Sequence, residues 1–188
     1  MRTSNRSKIL DAAIRVIQRD GVTGVTFDAV AAEAGVTRGG MMYHFPAREA
    51  LVAAIHDHLA QQWEASLVES AGKRAVDASA SERHIAYART CAQSATRAEL
   101  LFMLDASNAA ASPWDGVLAR WAAPAPAAHD DSAALARFIA RLAADGMWVY
   151  EALSNAPLPA DLRERVAAQL TRMIEDSAAQ NEKPARPG

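Results

Sequence analysis

The stretch of residues 26–45, TFDAVAAEAGVTRGGMMYHF, constrains the fold of this 188-residue chain more than any other. It predicts two short helices separated at Gly35, because glycine readily adopts the left-handed conformation that ends a helix. Thr26 and Thr37 stand where a side-chain oxygen can cap each helix start. The first helix is rich in alanine and therefore slim, and the second combines two glycines with polar side chains. A helix-turn-helix of this kind suits the major groove of DNA.

Helical periodicity continues on both sides of this motif, and we find no β-alternation in the chain. A helix ending near Asp20 would supply the core of a small N-terminal domain. A long helix over residues 47–70 follows, because apolar residues recur there at three- and four-residue steps. No Gly/Ser-rich hinge interrupts it, so it is expected to link two domains rigidly. We therefore predict an all-α chain with a three-helix helix-turn-helix DNA-binding domain in residues 1–46, a helical domain in residues 47–176 and a disordered tail in residues 177–188.

Two long helices near the C-terminus, at about residues 133–153 and 160–176, predict self-association. Consecutive amphipathic helices of this length invite packing as an antiparallel pair against a copy of themselves. The chain is therefore expected to form a homodimer through these two helices. One apolar face of the first helix continues for more than five turns and contains Leu135, Phe138, Ile139, Leu142, Gly146, Val149 and Leu153.

Charge and cysteine content exclude some classes of protein and leave others open. The formal charge is −2, and residues 1–58 hold 7 Lys and Arg against 6 Asp and Glu, so charge alone decides little about nucleic-acid binding. Cys91 is the only cysteine, which excludes an internal disulfide and a Cys-rich zinc module. The N-terminus is amphipathic and no long apolar run occurs, so we expect a cytoplasmic protein without a membrane segment.

Residues 9–55 resemble the N-terminal domain of the tetracycline-repressor (TetR) family of bacterial transcriptional regulators. The matching segments are ILDAAIRVIQRDGVTGVTFDAVAAEAGV and TRGGMMYHFPAREALVAAI. The rest of the chain looks, in size and helical pattern, like the family's ligand-binding and dimerisation domain. The resemblance implies that residues after the turn enter the major groove while others lie near phosphates. The DNA-binding residues expected on this basis are Thr26, Thr37, Arg38, Gly39, Gly40, Tyr43, His44 and Arg48.

Arg38 is the best candidate for a base contact, because a guanidinium group can donate two hydrogen bonds to guanine. Tyr43 and His44 are expected to donate to phosphates, and the alternative is that they pack beneath Phe45. Two departures from the family pattern reduce direct polar readout: many members have a hydroxyl residue where this chain has Gly40, and a tyrosine in place of its Met42. Ala47 stands where members often have a capping Ser or Asn, which weakens the start of the linker helix by about 1 kcal/mol.

Large aromatic side chains in the C-terminal part are more numerous than a plain helical core requires, and they make a ligand cavity plausible. Core packing is the alternative for each of them. Asp145 could face a cationic ligand or pair with Arg141, and the pair is favoured. The predicted ligand-binding residues are Trp63, Phe102, Met103, Trp114, Trp121, Asp145 and Trp148.

An enzymatic function finds little support in the sequence. It has no nucleophile-elbow motif and no glycine-rich phosphate loop. His56 and His58 are two residues apart on a helix, so their rings point to different sides. We therefore expect no catalytic residues, no metal and no cofactor.

These observations together indicate a homodimeric, ligand-released repressor of a palindromic double-stranded DNA operator. The expected effector is a small apolar or aromatic molecule. The alternative is a helical DNA-binding regulator that is controlled by protein contacts without a small-molecule effector.

Overall fold

The structure is a computed structural model that describes residues 5–93, 96–105, 112–127, 132–154 and 158–181. Within these residues nine α-helices and two short 3₁₀ turns occur and there is no strand, which confirms the predicted all-α fold class. The helices are α1 (Asn5–Asp20), α2 (Phe27–Ala34), α3 (Arg38–His44), α4 (Arg48–Ala71), α5 (Ala80–Gln93), α6 (Arg97–Asp105), α7 (Pro113–Trp121), α8 (Ser132–Leu153) and α9 (Ala160–Asn181).

The chain divides into two compact units. The first comprises Met1–Gln62 and Arg97–Trp114, and the second comprises Trp63–Thr96 and Asp115–Gly188. Helix α4 is continuous and contributes residues to both units. The domain boundaries drawn from the sequence at residues 46 and 176 remain predictions.

In the first unit, α1 supplies the apolar core on which the helix-turn-helix is built. Its side chains Ile9, Leu10 and Ile17 are almost completely buried, as are Met41 of α3 and Phe45. Met41 and Phe45 are large apolar side chains, which predicts a core position for both, and their burial confirms it. Burial of these five side chains stabilises the first unit, since each contributes about 1.5–3 kcal/mol when it is removed from water.

Ion pairs on the surface of the first unit join α1 to its neighbours. Glu33 of α2 accepts from Arg15 at 2.7 Å and from Arg19 at 3.0 Å, while His58 of α4 contacts Asp11 at 2.9 Å. The arginines are more than half exposed, so each pair contributes little to stability by itself. Together these contacts connect α1 to α2 and to α4.

In the second unit, α5, α8 and α9 pack against one another. The side of α8 that faces this core carries small residues, including Ala140 and Ala144, which are completely buried. Alanine permits close approach of helix axes. Ala92, Met147 and Ala167 form a cluster that joins the three helices.

The opposite side of α8 is exposed and apolar. Leu135, Ile139, Leu142, Val149 and Leu153 have between 39% and 72% of their surface exposed. They recur at steps of three, four and seven residues, which is the spacing of a continuous helix face. The apolar face that the sequence indicated therefore exists, and it is left uncovered by the described part of the chain.

Helix α9 extends beyond its expected end at residue 176. It continues to Asn181, so the expectation that disorder begins at residue 177 is wrong for residues 177–181. Ser177 is 2% exposed and its hydroxyl donates to the carbonyl of Ile174 at 2.7 Å, which satisfies this small polar group within the helix. Residues 182–188 lie outside the described residues.

No helix in the described ranges is both long enough and apolar enough to span a lipid bilayer.

Candidate nucleic-acid interface

Two threonine caps begin the helices of the helix-turn-helix. The hydroxyl of Thr26 accepts from the backbone N–H of Ala29 at 3.1 Å, and the hydroxyl of Thr37 accepts from that of Gly40 at 3.0 Å. Both caps were predicted from the sequence and are confirmed. Each satisfies a backbone donor at a helix start and contributes about 1 kcal/mol.

The turn between α2 and α3 is set by Gly35. This residue has φ 66° and ψ 34°, the left-handed conformation that the sequence predicted. The N–H of Val36 then donates to the carbonyl of Ala31 at 3.0 Å, which closes the end of α2. A side chain at position 35 would be strained by the backbone conformation, although no atom of the chain obstructs it.

Helix α3 exposes polar side chains, two glycines and one large apolar side chain, Met42, which is 45% exposed. Tyr43 is 86% exposed, so it does not pack beneath Phe45 as the alternative interpretation required. His44 is half-buried, and its ring lies edge-to-face with that of Tyr43 at 5.2 Å. The two glycines, at residues 39–40, are both exposed. The helix therefore offers a phenol, an imidazole and one stretch of bare backbone to a partner.

A cleft of about 510 Å³ brings four of the predicted residues together, Thr37, Gly40, Tyr43 and His44. Asn5, at the start of α1, also lines it. The sequence does not indicate Asn5 as a site residue, because its proximity to α3 depends on how α1 packs. The cleft is thus a concave surface with polar and apolar lining, made by residues of α1 and by residues 36–44.

Arg38 pairs with a carboxylate that lies ten residues earlier in the sequence. Its Nη1 lies 2.8 Å and 2.9 Å from the two carboxylate oxygens of Asp28, in the first turn of α2. Both side chains remain exposed, at 60% for Arg38 and 74% for Asp28. Because Asp28 engages only Nη1, it leaves the Nη2 and Nε donors of the guanidinium available for a base.

Arg48, the first residue of α4, contacts the backbone next to Thr26, which caps α2. The Nε of Arg48 lies 3.4 Å from the carbonyl of Val25, which directly precedes Thr26. Arg48 is otherwise exposed. The structure therefore places these two predicted residues near the same backbone position at the start of α2, where the positive end of the helix favours an anion.

The predicted ligand-binding residues fall into two groups, one in each unit. In the second unit the indoles of Trp63 and Trp148 stack with 5.3 Å between ring centroids and 15° between planes. Tyr87 lies edge-on to Trp63 and donates its hydroxyl to Asp145 at 2.6 Å. Burial raises the pKa of the Tyr87 phenol, and the neighbouring Cys91 and Asp145 raise it further. Asp145 also pairs with Arg141 at 3.5 Å, as the sequence favoured.

Trp121 and Trp148 satisfy their indole N–H groups in different ways. Trp121 donates to the carboxylate of Glu64 at 3.2 Å, and Trp148 donates to the carbonyl of Thr96 at 3.0 Å. A hydrogen bond from Arg120 lowers the pKa of Glu64, against the opposing effect of burial, and the bond from Trp121 lowers it further. Glu64 is therefore a stable anionic anchor for Trp121.

Phe102, Met103 and Trp114 belong to the first unit. Phe102 is completely buried and its ring lies 4.6 Å from that of His56. Trp114 is 2% exposed, and its Nε1 has no hydrogen-bond partner among the described residues. Met103 is half-buried. Core packing accounts for the burial of the aromatic residues in both groups, and their contact with an effector remains a prediction.

No group of three or more His, Cys, Asp or Glu side chains that could hold a metal ion occurs within the described ranges.

Two family models match the chain. Residues 9–55 match the N-terminal model of bacterial regulatory proteins of the tetR family. Residues 79–175, about half of the chain, match a tetracyclin repressor-like C-terminal domain.

Among curated proteins, the HTH-type transcriptional regulator SrpR of Pseudomonas putida is 40% identical over 50 residues. This match spans 27% of the present chain but only 24% of SrpR.

Solved structures are similar over nearly the whole chain. The multidrug binding protein EbrR complexed with imidazole is 25% identical, with a TM-score of 0.55, and the match covers 97% of this chain and 98% of that one. AibR, solved with isovaleryl coenzyme A and operator DNA, is 18% identical with a TM-score of 0.61 and with 91% and 98% coverage, and it supports the fold alone. Because a model of the family's C-terminal domain covers half of the sequence and a model of its N-terminal domain covers the helix-turn-helix, the chain belongs to the TetR family of bacterial regulatory proteins.

Proposed function

We propose that this protein is a homodimeric DNA-binding transcriptional regulator that a small organic effector releases from its operator. The observation that carries the proposal is the exposed face of α3, which follows a capped turn at Gly35 and is backed by a buried core. The similarity of this segment to SrpR, a transcriptional regulator, supports the same conclusion.

The predicted DNA-binding residues of α3 would have three different roles in the proposed complex. Arg38 would donate to a guanine edge in the major groove. Gly39 and Gly40 would let the backbone of α3 approach the duplex. Tyr43 and His44 would donate to phosphate oxygens, which position the helix without reading sequence.

Thr26 and Arg48 would hold a further phosphate at the start of α2. The backbone N–H groups there are oriented by the Thr26 cap, and the guanidinium of Arg48 adds a positive charge. This contact would fix the orientation of α3 relative to the groove.

The uncovered apolar face of α8 supports dimerisation through α8 and α9. Exposure of apolar side chains to water is unfavourable in free energy, and a second copy of the chain would bury them. The exposed side chains of this face include Leu135, Ile139, Leu142 and Leu153. A two-fold dimer reads two half-sites about 34–36 Å apart, so the expected operator is palindromic.

The aromatic cluster in the second unit supports an effector that is apolar or aromatic. EbrR, which has a similar fold and 25% identity, was solved with malachite green as well as with imidazole. In the present chain, displacement of the Trp63–Trp148 stack would offer two indole faces, with Asp145 nearby for a cationic group.

Release of DNA requires that the effector binds the DNA-incompetent state more tightly. Helix α4 would transmit the change because it belongs to both units.

Selection of duplex DNA from a random pool tests the DNA-binding part of the proposal. The purified protein should enrich a palindromic sequence. Arg38→Ala should weaken binding to that sequence by about 1–3 kcal/mol relative to unrelated DNA, because a bidentate base contact is lost. Arg89→Ala, on the exposed side of α5, is the control and should leave the preference unchanged. Failure of the wild-type protein to enrich any sequence would contradict DNA-specific regulation, whereas unchanged discrimination by Arg38→Ala would contradict only the role of Arg38.

Titration with ethidium and a panel of apolar and cationic aromatic compounds tests the effector. An effector should quench tryptophan fluorescence and release the protein from the selected operator. If operator binding is intact and no compound in the panel causes release, regulation through protein contacts becomes the better explanation.

A further inference from the structure

We propose that a cleft of about 520 Å³ in the second unit binds a small organic carboxylate. Four segments line this cleft: the start of α5, the residues that follow α7, the start of α8 and the last part of α9. None of the residues predicted to bind DNA or effector is among those that line it. The proposal does not depend on the proposed function, and it can be tested without DNA.

The charged residues that line the cleft are cationic. Arg83 of α5 and Arg137 of α8 line it, and no Asp or Glu from the described ranges does so. Arg83 donates to the carbonyls of Ala75 and Ala78, at 3.4 Å and 2.6 Å, so these contacts leave its positive charge uncompensated. The described lining of the cleft therefore carries two positive charges and no negative one.

His84 adds a buried ring to the same cleft. It is 9% exposed, and its Nδ1 has no hydrogen-bond partner among the described residues. Its pKa is lowered to about 4, mainly by burial and in addition by the positive charges of Arg137, Arg83 and Arg141. These charges are therefore close enough to make the protonated ring unfavourable. A carboxylate in the cleft would reduce that positive field and could pair with the ring.

The first turn of α5 borders the cleft, and its cap holds a nearby carboxylate, Glu82, in contacts with Ser79 and Lys73. Ser79 and Glu82 form a reciprocal cap, in which Glu82 accepts from the N–H of Ser79 at 2.8 Å and Ser79 accepts from that of Glu82 at 3.2 Å. Glu82 is also held by Lys73 at 2.8 Å. The intervening first-turn residues Ala80 and Ser81 line the cleft at the positive end of the helix.

The remaining lining defines the class of ligand. It is apolar and comes largely from small or rigid residues, including Ala123, Pro124, Pro126 and Ala178. Such walls accommodate a compact hydrocarbon body, while the arginines accommodate one anionic group. A small carboxylate with an apolar body fits both parts of the lining better than an inorganic ion does.

Calorimetric titration of the full-length protein with benzoate tests this assignment, with benzamide as the uncharged analogue of the same shape. Benzoate should bind saturably and benzamide should bind at least about tenfold more weakly, because the charge-assisted contacts are lost. Equal binding of the two compounds, or no binding of benzoate, would overturn the proposal.

Two variants locate the binding site. Arg137→Gln should weaken benzoate binding at least about tenfold by removing a cation, and Ala178→Leu should weaken it by filling the cleft without changing charge. Arg89→Gln, which alters an exposed arginine on α5, is the matched control and should bind benzoate like the wild type. Circular dichroism checks that each variant is folded. Unchanged binding by a folded Ala178→Leu protein would place the benzoate elsewhere and contradict the proposal, even if Arg137→Gln failed to fold.

Discussion

Gly39 and Gly40 are adjacent in α3, but they meet different surroundings. A Cβ atom added at Gly39 would find no atom of the chain within 4 Å, whereas one added at Gly40 would lie 3.2 Å from the hydroxyl oxygen of Thr37. The free protein thus has room for a side chain at position 39. If position 39 requires glycine, the requirement comes from a molecule that binds α3.

We predict that Gly39→Ala stabilises the free protein but weakens DNA binding. Alanine should add up to about 1 kcal/mol to the free energy of unfolding, because it restricts the unfolded chain and favours the helix. The methyl group should reduce operator affinity by keeping the α3 backbone away from the duplex. Thermal unfolding and a gel-shift titration measure the two effects. Wild-type affinity for operator in a stabilised variant would show that this backbone does not approach DNA closely.

His84 predicts a pH dependence of stability. Its pKa is about 4 in the folded protein, lowered chiefly by burial, against about 6.5 for an unfolded histidine. Because the unfolded chain binds the proton more readily, the free energy of unfolding should fall as pH decreases from about 6.5 to 4. We expect urea unfolding to show this decline and His84→Gln to reduce it. The same decline in the variant would assign the pH dependence to other groups.

The roles of some interface residues can be predicted from local sequence rules, and the roles of others cannot. Thr26, Thr37 and Gly35 act within their own turns, so residue type and spacing predicted their roles. Asp28 and Arg38 are ten residues apart, and their pairing depends on the crossing of α2 and α3. Sequence spacing alone therefore did not reveal it.

At the scale of the elements, α4 begins without a side-chain cap. The residue before it is Ala47, whose carbonyl accepts from the N–H of Leu51 at 3.2 Å but whose methyl group accepts nothing. Residue 47 therefore offers no side-chain acceptor to the backbone donors in the first turn.

We predict that Ala47→Ser stabilises the start of α4 by about 1 kcal/mol, because its hydroxyl can accept from a first-turn donor. Chemical unfolding should report the gain, and hydrogen exchange should slow in the first turn of α4. Ala53→Ser, at an exposed position inside the same helix, is the control and should be neutral or slightly destabilising. An equal gain in both variants would mean that capping is not the cause.

Helix α8 shows where the sequence pattern stops being informative about packing. The pattern indicated one long apolar face, and the structure exposes the leucines of this face while burying the opposite side, which is rich in alanine. Small side chains carry a weak hydrophobic signal, yet they permit the close contacts that α5 and α9 make with α8. The sequence could therefore locate the apolar face within residues 135–153 without deciding which neighbour covers it. The aromatic residues are ambiguous for a similar reason, since Trp63 and Trp148 suit both a packed core and a pocket.

At the scale of the whole molecule, the exposed face of α8 predicts the oligomeric state. Leu142→Asp should disrupt a dimer, because it places a charge in the apolar face where Leu142 is 53% exposed. Analytical ultracentrifugation should show a monomer, and affinity for a full palindrome should fall toward that for a half-site. Val76→Asp, at a residue 79% exposed outside α8, is the control and should remain dimeric. A dimeric Leu142→Asp protein would mean that another surface forms the interface.

The pairing of Arg38 with Asp28 has a consequence for how the protein would search a genome. On DNA of arbitrary sequence, Asp28 both occupies one end of the guanidinium and repels nearby phosphates, so transient complexes should be short-lived. At the operator, a guanine edge offers two acceptors to the donors that Asp28 leaves unused. Selectivity would then arise from a low affinity for nonspecific DNA. Faster dissociation from nonspecific sites would leave more free protein to bind the operator.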